Sequence, residues 1–200
     1  MPPRPSILPF NIGTDISFER RFYKYFTGKT GVDRSLFRFF DRTFTQREQQ
    51  HFWSRYPDLK LEKSTNPGHG SIANSYLAGR WAAKEAVIKA FGHRKQKLFT
   101  LDVEIWPVKE TGKPFGLVLD KRRTPIVENA EALYRLCRPP ESLTPEAPQV
   151  SHPDLSDTEG QVVDISISHD AEFAVATCIA PKEPLAGDVG GEAAARDFTS

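Results

Sequence analysis

The stretch from Asn74 to Phe91, closed by Gly92, constrains this fold more than any other part of the chain. Wound at about 100° per residue, Leu77, Trp81, Lys84, Ile88 and Phe91 fall in one stripe, apolar except for the lysine. A second stripe holds Ala78, Ala82, Glu85 and Lys89. Small alanines beside an i, i+4 Glu/Lys pair leave room for something bulky to approach both charges. Such a helix needs a partner layer over its apolar stripe, and the flanking sequence offers strands for it.

The first strand-like segment is Ile7 to Ile16, where Ile12, Thr14 and Ile16 alternate with Asn11, Gly13 and Asp15. That period predicts a half-buried strand with Asp15 pointing away from the apolar face. Between Phe18 and Tyr56 aromatic residues recur at helical spacing, which predicts two or three short helices. Thr45-Gln46-Arg47-Glu48 has the form of a capping box. Ser64 to Ser71 is turn chemistry throughout. Leu101 to Val108 and Phe115 to Leu119 read as strands joined by a hairpin turn over Lys109 to Pro114. Asp120 to Gly160 reads as a long acidic, proline-rich surface insertion with one helix at Ile126 to Leu136. Val162 to Ser168 and Glu172 to Ile179 read as two further strands, and residues 181–200 as a disordered tail. The expected fold class is α+β, a strongly twisted antiparallel sheet packed on one long helix, in one domain over residues 1–180.

Composition removes several classes of function. Two cysteines, Cys137 and Cys178, make neither a disulfide scaffold nor a cysteine-rich zinc site, and fit a reducing compartment. No run approaches the ~18 apolar residues of a membrane span, and Met1 to Pro9 lacks the apolar stretch of a secretory signal. Lys and Arg total 27 against 26 Asp and Glu, so overall charge points to no generic polyanion. The distribution is uneven, however. Arg20 to Arg47 carries eight basic residues and two acidic ones, a net of +6, whereas Pro139 to Pro181 has eight acids and no Lys or Arg. Nucleic acid is the rival explanation for the basic stretch, but its aromatics follow core spacing and form no stacking motif.

Taken singly, the polar residues have ordinary explanations. Glu85 and Lys89 form an exposed helix pair, Asp15 closes a turn, and His169 caps one. Lys84 is odder, because a lysine inside an apolar stripe must snorkel or meet an anion. Their combination is more specific. The chain reads Ile12-Gly13-Thr14-Asp15-Ile16, then Trp81-Ala82-Ala83-Lys84-Glu85-Ala86-Val87-Ile88-Lys89-Ala90, then Gly112-Lys113-Pro114, then Ser166-Ile167-Ser168-His169. In that order these blocks resemble the 4′-phosphopantetheinyl transferases, in particular the small holo-acyl-carrier-protein synthase type.

The resemblance implies an enzyme that moves 4′-phosphopantetheine from coenzyme A to a serine of an apo-acyl carrier protein and releases adenosine 3′,5′-bisphosphate. It implies Mg²⁺ on Asp15 and Glu85, and Lys89 beside the pyrophosphate as the third catalytic residue. Both roles suit phosphoryl-type transfer, in which positioning and charge stabilisation dominate. Mg²⁺ commonly binds through one or two carboxylates together with phosphates and waters. The serine proton goes either to Glu85 or to a water on the metal. By the same resemblance Lys84 lies on the phosphate side. His169, with Ser168 before it, meets the nucleotide part of coenzyme A, Arg80 its 3′-phosphate, and the turn at Gly112 and Pro114 its adenine. Arg21, six residues beyond Asp15, matches the carrier-docking position, with Arg20 and Lys24 in support by charge. The family further implies a homotrimer with the cofactor between subunits, while the apolar runs and aromatic spacing described above imply no membrane or nucleic-acid partner.

The sequence departs from the family in the 120–160 insertion, in Asp170 where a hydroxyl residue is commoner, and in Ile88 where a small polar one is frequent. The proline-rich, extended form resembles fungal members, which implies a mitochondrial fatty-acid carrier as acceptor, with the cytoplasm as the alternative. Two other functions remain open at this point: a carrier-binding module without turnover, and a hydrolase that consumes coenzyme A without modifying protein.

Overall fold

Five strands and one long helix form the two layers that carry the site. The computed structural model describes residues 8–26, 34–57, 59, 67–92, 97–122, 125, 127–137, 155–156 and 158–182. Strands β1 (Phe10–Phe18), β2 (Val103–Pro107), β3 (Pro114–Leu119), β4 (Gly160–Asp170) and β5 (Phe173–Pro181) make one sheet in the order β1-β5-β4-β3-β2. Every pairing is antiparallel. Helices α1 (Arg20–Tyr23), α2 (Arg34–Thr43), α3 (Gln46–Arg55), α4 (Pro67–Ala90) and α5 (Ala130–Cys137) complete the α+β fold expected from the sequence.

Helix α4 lies along the inner face of the sheet, against β1 and β5. Its Ala82, Ala83, Ala86, Val87 and Ala90 meet Val163 and Ile165 of β4 and Ala176, Cys178 and Ala180 of β5, all buried. Small residues on both layers allow the helix to lie close to the strands. A second, aromatic core holds α2 and α3 against the N-terminal half of α4, with Phe37, Phe40, Phe44, Phe52 and Trp53 buried beside Leu77 and Ala78. The edge-to-face Phe40–Phe52 pair, with centroids 5.0 Å apart, is typical of its packing. Helix α3 starts at the expected capping box: the Glu48 amide donates to Thr45 Oγ1, and the Thr45 amide to the Glu48 carboxylate.

Three expectations need correcting. Helix α4 begins at Pro67, inside the stretch read as turn, because proline at a helix start gives up only an amide that has no intrahelical partner there. Leu101 belongs to a 3₁₀ turn over Thr100–Asp102 that precedes β2, with the Asp102 carboxylate accepting from the Phe99 amide. On β1 the alternation is right but the faces are reversed. Gly13, Asp15 and Ser17 turn inward to the helix, and Ile12, Ile16 and Phe18 are exposed. The outward face of β1 and β5 therefore also carries apolar side chains, where Ile12 pairs with Ile179, Ile16 with Val175 and Phe18 with Phe173. The insertion expected over 120–160 lies outside the described residues from 138 to 154, and the expected tail from 183 onward.

Candidate active site

A glycine decides how near β1 can come to α4. A Cβ on Gly13 would collide with the Ala86 carbonyl and stand 2.5 Å from the Ala90 amide nitrogen, so only glycine fits at this crossing. Asp15 lies two residues further along the same face of β1, and Glu85 and Lys89 are the neighbours of Ala86 and Ala90 on the helix. The crossing therefore brings the acid of the strand to the charged stripe of the helix.

Lys89 Nζ donates to Asp15 Oδ1 at 2.7 Å and to the Thr14 carbonyl at 3.0 Å. The lysine side chain is 51% exposed and that of Asp15 16%, so the pair sits at the rim of the interface. Glu85 is partly buried beside them. Burial raises its carboxyl above the ordinary glutamate value of 4.5, and the Asp15 carboxylate raises it further, with Lys89 and Arg21 pulling the other way. Arg21 reaches this patch from α1, its guanidinium 4.8 Å from the centroid of the Trp81 ring. Asp15, Glu85, Lys89 and Arg21 thus share one patch of surface.

The two carboxylates, Asp15 and Glu85, offer hard oxygen ligands of the kind Mg²⁺ takes, with the remaining positions left to phosphate and water. Among the described residues there is no group of three or more His, Cys, Asp or Glu side chains placed to hold a metal. The donor set fits a cation shared with a phosphorylated substrate and does not form an all-protein cage.

The structure brings His169 to the same inner face, at the end of β4. Its ring lies over Gly79 of α4, where a Cβ would stand 3.0 Å from Nε2. Nδ1 is 3.1 Å from Glu19 Oε1. Ser168 points to the opposite, outward face, where it pairs with Val175, so the two neighbours in sequence do not share a surface. The turn at Gly112, with φ of +70°, closes the β2–β3 hairpin ahead of Pro114. Strand β3 is separated from β1 by β5 and β4, three spacings or about 14 Å, so the hairpin stands apart from Asp15 within one chain. Of the expected docking residues, Arg20 pairs with Glu172, and Lys24 lies 5.2 Å from the Tyr25 ring centroid.

Lys84 departs most from expectation. It is fully buried and its ammonium donates to Glu48 Oε2 at 2.6 Å, to the Thr100 carbonyl at 2.9 Å and to the Val103 carbonyl. Burial lowers its pKa and raises that of Glu48, and their attraction opposes both shifts. An ammonium with three protein acceptors has none of its donors left for a phosphate. The anion that a lysine in an apolar stripe requires is thus Glu48, which sequence reasoning took only as a capping residue. Around it, Glu104 accepts from Thr45 Oγ1 at 2.7 Å and from Trp106 Nε1 at 2.9 Å, and pairs with Arg47. Arg80, one turn before Lys84, donates to the Ile105 carbonyl at 2.9 Å and lies over the Tyr76 ring, away from Asp15. Glu19 and Ser75, which support His169, carry no sequence signal, because their contacts span 150 and 56 positions.

The profile of the 4′-phosphopantetheinyl transferase superfamily matches residues 11–132. The holo-[acyl-carrier-protein] synthase of Aquifex aeolicus is 29% identical over 126 residues, covering 62% of this chain and 85% of that protein. The acyl carrier protein synthase of Plasmodium yoelii, solved with ADP bound, superposes with a TM-score of 0.50 at 20% identity over 87% of this chain and 96% of that one. The holo-(acyl-carrier-protein) synthase of Bacillus anthracis, solved in complex with CoA, gives 0.44 at 25% identity over 86% and 96%.

Proposed function

The chain belongs to the 4′-phosphopantetheinyl transferase superfamily, and from that membership we propose that it transfers 4′-phosphopantetheine from coenzyme A to a serine of an apo-acyl carrier protein with the help of Mg²⁺. That it is an enzyme catalysing phosphopantetheinyl transfer rests on the family. The donor, acceptor and metal are the proposal. The observation that carries it is the crossing at Gly13, which sets Asp15, Glu85 and Lys89 on one patch.

Asp15 and Glu85 are the residues that would hold Mg²⁺, which when bound supplies positive charge at the diphosphate. The chain's own groups do the rest. The carrier serine oxygen forms a bond to the β-phosphorus while the bond to the oxygen of adenosine 3′,5′-bisphosphate breaks. Glu85, whose carboxyl is held above its ordinary value, takes the hydroxyl proton. Lys89, steered by Asp15 and the Thr14 carbonyl, offers its ammonium to the charge growing on the leaving phosphate. His169 meets the nucleotide part of coenzyme A. Arg21, with Arg20 and Lys24, receives the acidic carrier.

Self-association is part of the proposal. Ile12, Ile16, Val162, Phe173, Val175 and Ile179 are each 39–63% exposed. They form a contiguous outward face that a second copy can cover. A neighbouring subunit can also bring its Gly112 turn and Ser168 to a site from which they stand apart within one chain. The trimer, and the mitochondrial fatty-acid carrier as acceptor, rest on the resemblance alone.

The test is product analysis with purified apo-carrier, coenzyme A and Mg²⁺. The transferase releases adenosine 3′,5′-bisphosphate only when apo-carrier is present. Release without acceptor would mark a hydrolase, and carrier binding without release a silent module.

A further inference from the structure

Glu19 stands where three elements meet. It follows the last residue of β1, and its amide donates to the Glu172 carbonyl at 2.8 Å, which ties the strand end to the β4–β5 turn. Its side chain is 12% exposed and faces two ways. Oε2 accepts from Ser75 Oγ of α4 at 2.6 Å, and Oε1 lies 3.1 Å from His169 Nδ1. Ser75 and Gly79 are one turn apart on the same face of α4. Ser75 anchors the carboxylate, and Gly79 leaves the space that the imidazole fills, with Nε2 and Cε1 at 3.0 and 3.1 Å from the missing Cβ. The ring is therefore held at one nitrogen by an acid that is itself held, and is seated at its other edge by a glycine. The His169 side chain remains 41% exposed, so a ligand can reach it.

A carboxylate can only accept at Nδ1, which places a proton on that nitrogen and leaves Nε2, on the ring edge beside Gly79, as an acceptor for a ligand's donor group. Fixing the ring beforehand removes the orientational freedom that would otherwise be lost when a nucleotide binds. We infer that Glu19 is a positioning residue: anchored by Ser75, it holds His169 so that Nε2 is presented as an acceptor to the hydroxyl or amino donors of the nucleoside half of coenzyme A. This rests on the reading of His169 as a coenzyme A contact, and the experiment separates the two.

The measurement is coenzyme A binding by calorimetry on the full-length protein, with side-chain ¹⁵N resonances of His169 recorded alongside. In the wild type the His169 signals show the proton on Nδ1. In Glu19→Ala they shift to a mixture of tautomers, and affinity for coenzyme A falls about tenfold, the scale of one charge-assisted hydrogen bond. KM for coenzyme A rises with that loss while kcat changes less than about twofold. Glu19→Gln, whose amide oxygen still accepts at Nδ1, recovers most of the affinity, and Ser75→Ala, which leaves the carboxylate without its anchor, lies between the two. Unchanged ¹⁵N signals in Glu19→Ala, or a fall in kcat with KM unmoved, would overturn the positioning role. If His169→Ala binds coenzyme A normally, the contact assigned to His169 is wrong, whereas the tautomer shift still decides whether Glu19 orients the ring.

Discussion

Gly13 of β1 lies so close beneath Ala86 of α4 that no side chain fits between them. The approach of strand to helix depends on this contact, and with it the distance from Asp15 to Glu85 and Lys89. Gly13→Ala must push the strand off the helix backbone, which overpacking data put at about 3 kcal/mol or more where backbone cannot yield. Urea melts should show the loss of stability. Turnover should fall further than the unfolded fraction explains, because the acids separate in the molecules that remain folded.

Glu85→Gln tests the site without disturbing the crossing. Turnover should drop at least about 100-fold, the scale for removing a charge-stabilising group. Stability should move the other way. A carboxyl whose folded pKa is raised favours folding fully below the unfolded value of 4.5, and that contribution is lost as pH rises through the folded pKa. At pH 7 the wild type bears this cost and Glu85→Gln does not, so the Tm of the variant should equal or exceed that of the wild type. At pH 4 the difference should vanish. Thermal scans at the two pH values check the sign.

Lys84 and Lys89 should separate cleanly. Lys84→Met leaves Glu48 buried without its partner and should cost about 3–5 kcal/mol, while the double variant Lys84→Met/Glu48→Gln, which removes the unpaired charge and keeps an acceptor for the Thr45 and Ile105 amides, recovers part of it. Lys89→Met, at an exposed position, should leave the melt within about 0.5 kcal/mol of wild type and remove turnover. Paired denaturation and activity assays distinguish these outcomes.

The two lysines also show what could be read from the sequence. Helical periodicity placed Glu85 and Lys89 on a common small-residue stripe, and strand alternation placed Asp15 with Gly13, because both follow from local geometry. The same periodicity put Lys84 in an apolar stripe and demanded an anion for it. It could not say which one, because the choice between a phosphate and Glu48 depends on how α3 packs against α4 and β2. The face of β1 was misjudged for a related reason. Hydrophobic Ile12 and Ile16 look like core, yet only Gly13 allows the helix to approach, so sterics overruled hydrophobicity. Glu19 and Ser75 were invisible because their partners are distant in sequence.

Ile16→Asp should solubilise the outward face without touching the helix side, since Ile16 is 61% exposed. Light scattering should show the proposed self-association lost with the melt of the subunit preserved, and activity falling with it. Full activity in a monomeric variant would show that one chain holds a complete site.

The most direct test of the account is the intact mass of an apo-acyl carrier protein after incubation with coenzyme A, Mg²⁺ and either the wild-type enzyme or Glu85→Gln. The wild type should convert the carrier to a species heavier by one phosphopantetheine group, lost when its acceptor serine is replaced by alanine, and the variant should leave the mass unchanged. An unmodified carrier with the wild type, or equal modification by both proteins, would contradict it.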